Sequence, residues 1–324
     1  MKKFLTSLCC FFCLAFMFYL FLIFTTSNIK VEKKFSVLDK ITGNATTGKA
    51  TFWKFYDISH YTTPYDVVII GASPAYRSFD ARVFDKNHLN VQIIANGQQP
   101  PAVTYQLLKD YVIKVKPRLI IFDICLAVNK SNGVEAFYDL SKNIPVSWTL
   151  FFMAMEINQV NVYHNFFSAL INQCCEPFYL NIDFPRPKTY YKGFITEYKN
   201  DTTIGFNRVK RSYKLKKITA QDEKNLAFIE SIVKLTRNNN IEILFTRQPT
   251  IWNYDISLLT KIVAIANKYQ VPFIDLYNEQ FRLNPGFDFY DRSHLNSQGA
   301  EKITRILLEE KLRPDPKFDF LWND

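Results

Sequence analysis

The chain has 324 residues, 48% of them hydrophobic, with 30 Phe and 18 Tyr; this is enough to bury one large core, or one domain with an insertion, and too apolar for a disordered chain. The net charge is +10, but the basic residues are spread widely and form no recognition module, which argues against nucleic acid and suits anionic lipids or anionic envelope polymers. Of six cysteines, Cys9, Cys10 and Cys13 lie in an apolar leader, and Cys125, Cys174 and Cys175 are odd in number without CxxC or His spacing, so neither a disulfide framework nor a metal site is expected, and no cofactor.

Met1-Lys2-Lys3 opens into an almost uninterrupted apolar run over residues 4–24, about the length a helix needs to cross a hydrocarbon core. The run has no polar face and no convincing small-x-small cleavage site, so residues 1–26 are expected to be an uncleaved signal anchor in the lipid bilayer rather than a buried core helix. Lysines flank it on both sides, so charge alone does not orient it. Residues 27–65 are polar, aromatic and irregular, and are expected to form a stalk that wraps onto the domain.

The stretch Asp66-Val67-Val68-Ile69-Ile70-Gly71-Ala72-Ser73-Pro74 reads as a fully buried parallel strand running into a sharp turn. Ser73 then sits at the strand's carboxyl end, the edge where open α/β sheets bind ligands; the bland alternative makes it only a helix N-cap. Val91-Gln92-Ile93-Ile94-Ala95 gives a second strand followed by Asn96-Gly97-Gln98-Gln99-Pro100-Pro101, then a helix through Val103, Leu107 and Val112, and a third strand, Leu119-Ile120-Ile121-Phe122-Asp123-Ile124.

Residues 131–220 break this rhythm. An aromatic segment over 148–170 reads as one or two helices, and the prolines at 177, 185 and 187 and the basic run 208–217 read as loop, the run most simply a solvated face. The span is taken as an insertion forming a lid or docking surface. Alternation then resumes. Thr219-Ala220-Gln221-Asp222 starts a helix, Ile241-Glu242-Ile243-Leu244-Phe245 is strand four, residues 256–268 are a helix, and Val271-Pro272-Phe273-Ile274-Asp275 is strand five. Strands and helices in this order imply a doubly wound parallel α/β sheet of about five strands.

Tyr290-Asp291-Arg292-Ser293-His294-Leu295-Asn296-Ser297-Gln298-Gly299-Ala300 places an Asp three residues before a His, on a loop entering a terminal amphipathic helix. A carboxylate can there reach the imidazole Nδ1 and leave Nε2 as a base. With Ser73, nucleophile, base and orienting acid all exist. Arg77, one helical turn past Ser73, and Gln98, Arg247 and Gln248, in the loops after strands two and four, are candidates for holding an anionic substrate; in the structural alternative Arg77 pairs with Asp80 and Arg247 holds the loop before Pro249.

These two blocks resemble the SGNH/GDSL hydrolase superfamily over about residues 66–310. The resemblance implies a flavodoxin-like SGNH fold over residues 66–324, catalysis by Ser73, His294 and Asp291, and an oxyanion hole from the Ser73 and Gly97 N–H groups. Its Gly-x-Asn-Asp block is absent: Asp123-Ile124-Cys125-Leu126-Ala127-Val128-Asn129 stands there, with Asn129 a displaced stand-in. The chain looks like a divergent membrane-anchored branch with an extracytoplasmic domain, similar to proteins of alginate acetylation and teichoic acid D-alanylation that work beside a multispanning membrane acyltransferase. That likeness implies an envelope acyl esterase or acyltransferase, with an inactive polysaccharide-pathway scaffold as one alternative and a phosphate-binding α/β protein as another.

Overall fold

Short apolar runs such as Val67–Ile70 and Leu119–Phe122 have no solvated face, and in the computed structural model they form the centre of the molecule. The model describes residues 1–32, 35–36, 49–124, 131–175, 185–199, 217–251 and 256–323. Asn129, Cys125 and the basic run up to residue 216 lie outside the described residues. The strands are β1 (Val67–Gly71), β2 (Val91–Ala95), β3 (Leu119–Asp123), β4 (Glu242–Arg247) and β5 (Phe273–Asp275), paired in the order β2-β1-β3-β4-β5 and all parallel. This is the expected five-stranded parallel sheet.

Alternation along each strand divides the core into two layers. Val68, Ile70, Ile120, Phe122, Ile243 and Phe245 face one apolar cluster, and Val67, Ile69, Leu119, Ile121 and Leu244 the other. Helices cover both faces, as a doubly wound sheet requires. The first layer takes α2 (Lys49–Ser59), α5 (Pro101–Leu107), α6 (Val134–Asn143), α7 (Trp148–Ile157), α8 (Val160–Cys175), α9 (Ala220–Asn238) and α10 (Ile256–Lys268). The second takes α3 (Ser73–Ser78), α4 (Ala81–Lys86) and α11 (Ser297–Arg305). The capping residue expected before α9 is a full capping box between Thr219 and Asp222.

An N-terminal helix, α1 (Lys2–Asn28), is long and apolar enough to cross a membrane and is exposed along most of its length. Its C-terminal half rests on α8, with Phe16 and Tyr19 against Phe167 and a hydrogen bond of 2.7 Å between the Ser27 and Ser168 hydroxyls. The irregular reading of residues 27–65 fails at α2. That helix buries Thr51, Phe52, Lys54, Phe55 and Ile58, and two of those five are polar, so its apolar stripe is broken in the sequence. Within residues 131–220, a short hairpin of Tyr190–Tyr191 and Phe194–Ile195 closes the outer edge of β2, where the Ile93 N–H donates to the Lys192 carbonyl at 3.0 Å.

Candidate active site

The carboxyl ends of β1 and β2 are register partners, Gly71 opposite Ala95. Ser73 and Gly97 each lie two residues further on, so both leave the sheet side by side at one edge. Gly71 has φ +150, and a Cβ there would lie 2.9 Å from the Asp123 Cβ on β3; only glycine turns the chain this close to its neighbour strand. The turn sets Ser73 as the first residue of α3. The N-cap position is Ala72, and Ser73 makes no capping bond, so the capping alternative does not hold. As a first-turn residue Ser73 has no i−4 carbonyl for its N–H, which leaves that donor available beside its own hydroxyl.

The base arrives from the other end of the chain. Phe289 and Leu295 bridge as a small antiparallel loop, with the Tyr290 N–H donating to the His294 carbonyl at 3.0 Å. Leu295 is buried, Asn296 caps α11 by accepting the Gln298 and Gly299 N–H groups at 3.0 Å, and its side-chain amide donates to the Phe287 carbonyl at 2.6 Å. A Cβ on Gly299 would lie 2.2 Å from the Asp288 carbonyl oxygen, so glycine lets α11 start against that backbone. Each residue of Leu-Asn-x-x-Gly-Ala thus fixes where the preceding His points.

His294 Nε2 lies 2.8 Å from the Ser73 hydroxyl, and Nδ1 lies 2.9 and 3.0 Å from the two carboxylate oxygens of Asp291. Asp291 accepts only, so Nδ1 carries the proton and Nε2 accepts from the Ser73 hydroxyl. Asp291 also accepts the Ser293 and His294 backbone N–H groups at 2.7 and 3.0 Å. Burial pushes the Asp291 carboxyl up, but the hydrogen bond and electrostatic pull of the His294 ring and the two backbone donors outweigh it and hold the carboxyl below its usual range. The site stays open to solvent, with the Asp291 side chain 43% and the His294 side chain 22% exposed.

A polar pedestal that the sequence did not announce lies behind the Gly97 loop. Lys54 of α2 is buried, donates to the Ala95 carbonyl at the end of β2, and sits 4.3 Å over the Tyr76 ring. Thr51 donates to Asp139 of α6 and lies 3.4 Å from Asn96 Oδ1; the Asn96 amide donates to Gln99 Oε1 at 2.8 Å, and the Gln99 amide to Thr104 at 3.0 Å. Burial lowers the Lys54 ammonium to about 8, with Asp139 opposing and Arg77 adding to the shift, and burial raises the Asp139 carboxyl to about 6 against the pull of Thr51 and Lys54. The signal was present in outline, since positions 51, 54, 55 and 58 have helical spacing.

Among the expected substrate-binding residues, Arg77 lies on α3 with its guanidinium 5.1 Å from the Tyr290 ring, beside the Asp291–His294 loop, and its Nη1 has no hydrogen-bond partner among the described residues. It does not pair with Asp80, which takes a bidentate bond from Arg82 instead. Gln98 is exposed in the loop after Gly97, with its backbone in the left-handed region and its carbonyl accepting from Ser131. Arg247 and Gln248 correct the expectation. Arg247 stands opposite Asp275 in the β4–β5 register, donates to both its carboxylate oxygens, and is 3% exposed with its guanidinium 4.5 Å over the Tyr277 ring. Gln248 is fully buried. Neither reaches solvent, because strand pairing puts Arg247's partner inside the sheet edge. No cluster of His, Cys, Asp and Glu suited to a metal occurs among the described residues.

No family model and no curated protein matches the chain. Similar solved structures include a GDSL-like lipase from Bacteroides thetaiotaomicron, 12% identical over 81% of this chain and 97% of that one with a TM-score of 0.41. Another is an acetylxylan esterase from Geobacillus stearothermophilus, 11% identical over 76% of this chain and 93% of that one with a TM-score of 0.38.

Proposed function

We propose that the chain is an extracytoplasmic serine acyl esterase or acyltransferase that removes or transfers O-acetyl groups on a cell-surface polysaccharide or related envelope polymer. The observation that carries this reading is the unbroken line of hydrogen bonds from Ser73 Oγ through His294 to Asp291. In the first step the Ser73 oxygen attacks the acyl carbon while its proton moves to His294 Nε2; the tetrahedral oxyanion is met by the Ser73 and Gly97 N–H groups. Collapse expels the alkoxide, which takes the proton from Nε2, and leaves the acyl group on Ser73. Water or a sugar hydroxyl then gives its proton to Nε2 and attacks that ester, regenerating Ser73. Asp291 keeps the ring in the one tautomer that can do both steps.

The helix α1 supports membrane attachment, and the proposal adds an envelope substrate and a multispanning acyltransferase as partner. Arg77, a half-buried guanidinium 5.1 Å from the Tyr290 ring beside the triad loop, supports recognition of an anionic group on the polymer. A fluorophosphonate probe tests the central reading: the wild type should be labelled and should hydrolyse p-nitrophenyl acetate, and Ser73→Ala should do neither. An unlabelled, inactive wild type that still binds polysaccharide would replace the enzyme with a scaffold protein.

A further inference from the structure

Helices α7 and α8 together contain a single acid or strong base, Glu156, and its charge is met by Lys224 at 3.0 Å. On α7 the two faces are both apolar. Leu150, Met153 and Ala154 are buried in the core, and on the opposite side Trp148, Phe152 and Met155, spaced four and three apart, form a stripe that is 75, 46 and 51% exposed. Val160, at the start of α8, adds to it at 71%. A helix that is apolar all round belongs inside something, yet half of this one faces outward.

Ring contacts tie that stripe to α1. Phe16 and Tyr19 of α1 meet Phe167 at 5.6 and 6.0 Å; Phe167 meets Phe166, Phe166 meets Phe151, and Phe151 meets Trp148 at 5.9 Å. The exposed Trp148 is therefore joined, ring to ring and through the buried Phe166, to the helix of the chain that is long and apolar enough to cross a membrane. We propose that the outer face of α7 and the start of α8 is a second membrane contact, lying in the interfacial region of the bilayer that α1 spans, with Trp148 and Phe152 at headgroup depth. Tryptophan at that depth keeps its ring in apolar surroundings and its N–H in wet ones. The occupant is lipid because the face is joined to α1 by that ring path and its Trp148, Phe152, Met155 and Val160 are all apolar; the hydrophobic stripe rather than a basic patch carries the attachment.

The inference rests on α1 being a membrane anchor, and the experiment separates the two. The full chain is reconstituted in phosphatidylethanolamine–phosphatidylglycerol vesicles, with and without lipids brominated on the acyl chains, and tryptophan emission of the wild type is compared with Trp148→Phe. The protein should float with the vesicles, brominated lipid should quench the wild type, and most of that quenching should be lost in Trp148→Phe. The double variant Phe152→Asp, Met155→Asp should still float through α1 but expose Trp148 to aqueous iodide. Failure to float removes the anchor and this contact with it. Flotation with Trp148 open to iodide and untouched by brominated lipid overturns the contact alone. Flotation with Trp148 shielded from both quenchers also overturns it, since a protein neighbour would then cover the face.

Discussion

Thr304 and Asp80 stand 224 residues apart and are joined by one hydrogen bond, the Asp80 N–H donating to the Thr304 hydroxyl oxygen at 2.8 Å. Thr304 in turn donates within the same knot, to the Ala300 carbonyl at 2.8 Å or the Ser78 carbonyl at 3.2 Å. The bond fastens the helix that follows the base to the end of the helix that carries the nucleophile. Thr304→Val keeps the shape but leaves a buried N–H without its acceptor, a loss of about 1–3 kcal/mol. The expected outcome is a lower denaturation midpoint together with a fall in kcat at little changed KM, both restored by Thr304→Ser. A variant with wild-type kcat and stability would show that the knot is not needed to align Ser73 with His294.

Triad substitutions should be steeply unequal to ordinary ones. Ser73→Ala and His294→Ala should each lower kcat on an activated ester by roughly 10⁴ or more, and the double variant should lose no more than either, because the residues act as a unit. Asp291→Asn should cost somewhat less. Thermal melting should hardly move for any of them, since all three side chains lie at an open edge. Additive losses in the double variant would contradict the shared proton path.

Arg77 and Arg247 should respond differently to substitution. Arg77→Ala should weaken use of an anionic polymer about tenfold while hydrolysis of a small neutral ester is nearly unchanged, in line with one lost charge-assisted contact. Arg247→Ala should instead leave Asp275 without its bidentate partner and lower stability by about 3 kcal/mol, with equal effects on both substrates. Steady-state rates on the two substrates alongside a urea titration distinguish these outcomes. A polymer-selective loss in Arg247→Ala would refute its structural role.

The buried pair behind the Gly97 loop has its own pH signature. For Lys54 the folded ammonium is depressed to about 8 from 10.5, so its stabilising contribution is present above about 10.5 and is lost as pH falls through about 8. For Asp139 the folded carboxyl is raised to about 6 from 3.8, so its contribution is present below about 3.8 and is lost as pH rises through about 6. Between pH 6 and 8 both are charged and the pair supports folding least. Relative to Lys54→Met, the wild type should therefore gain stability as pH rises from 8 to 10.5; a difference that stays constant across that range would show that Lys54 is not held in a desolvated site.

The sheet was legible because parallel strands covered on both faces spell short apolar runs: Val67–Ile70 in β1, Leu119–Phe122 in β3 and Ile243–Phe245 in β4, with Gln92 the one polar residue inside β2. The triad was legible because Asp291 and His294 share one loop and Leu295, Asn296, Gly299 and Ala300 each answer to local geometry. Residues whose role depends on a partner from another element were not. Arg247 reads as a loop cation until the β4–β5 register sets it opposite Asp275. The helix α2 escaped for a related reason: Thr51 and Lys54 occupy half of its inward stripe, and their partners Asp139 and Ala95 are far along the chain.

Ser73 and His294 are 221 residues apart. During synthesis at about 5–20 residues per second the nucleophile precedes its base by roughly 10–45 s. Through that interval β1 to β3 can pair and the turn at Gly71 can present a serine hydroxyl, but His294, the ring that stands 2.8 Å from it in the folded chain, has not yet been made. Under the proposed function a nascent or interrupted chain is thus chemically silent, and the Ser73–His294 contact forms only when the last strand has been laid down and α11 closes over the sheet.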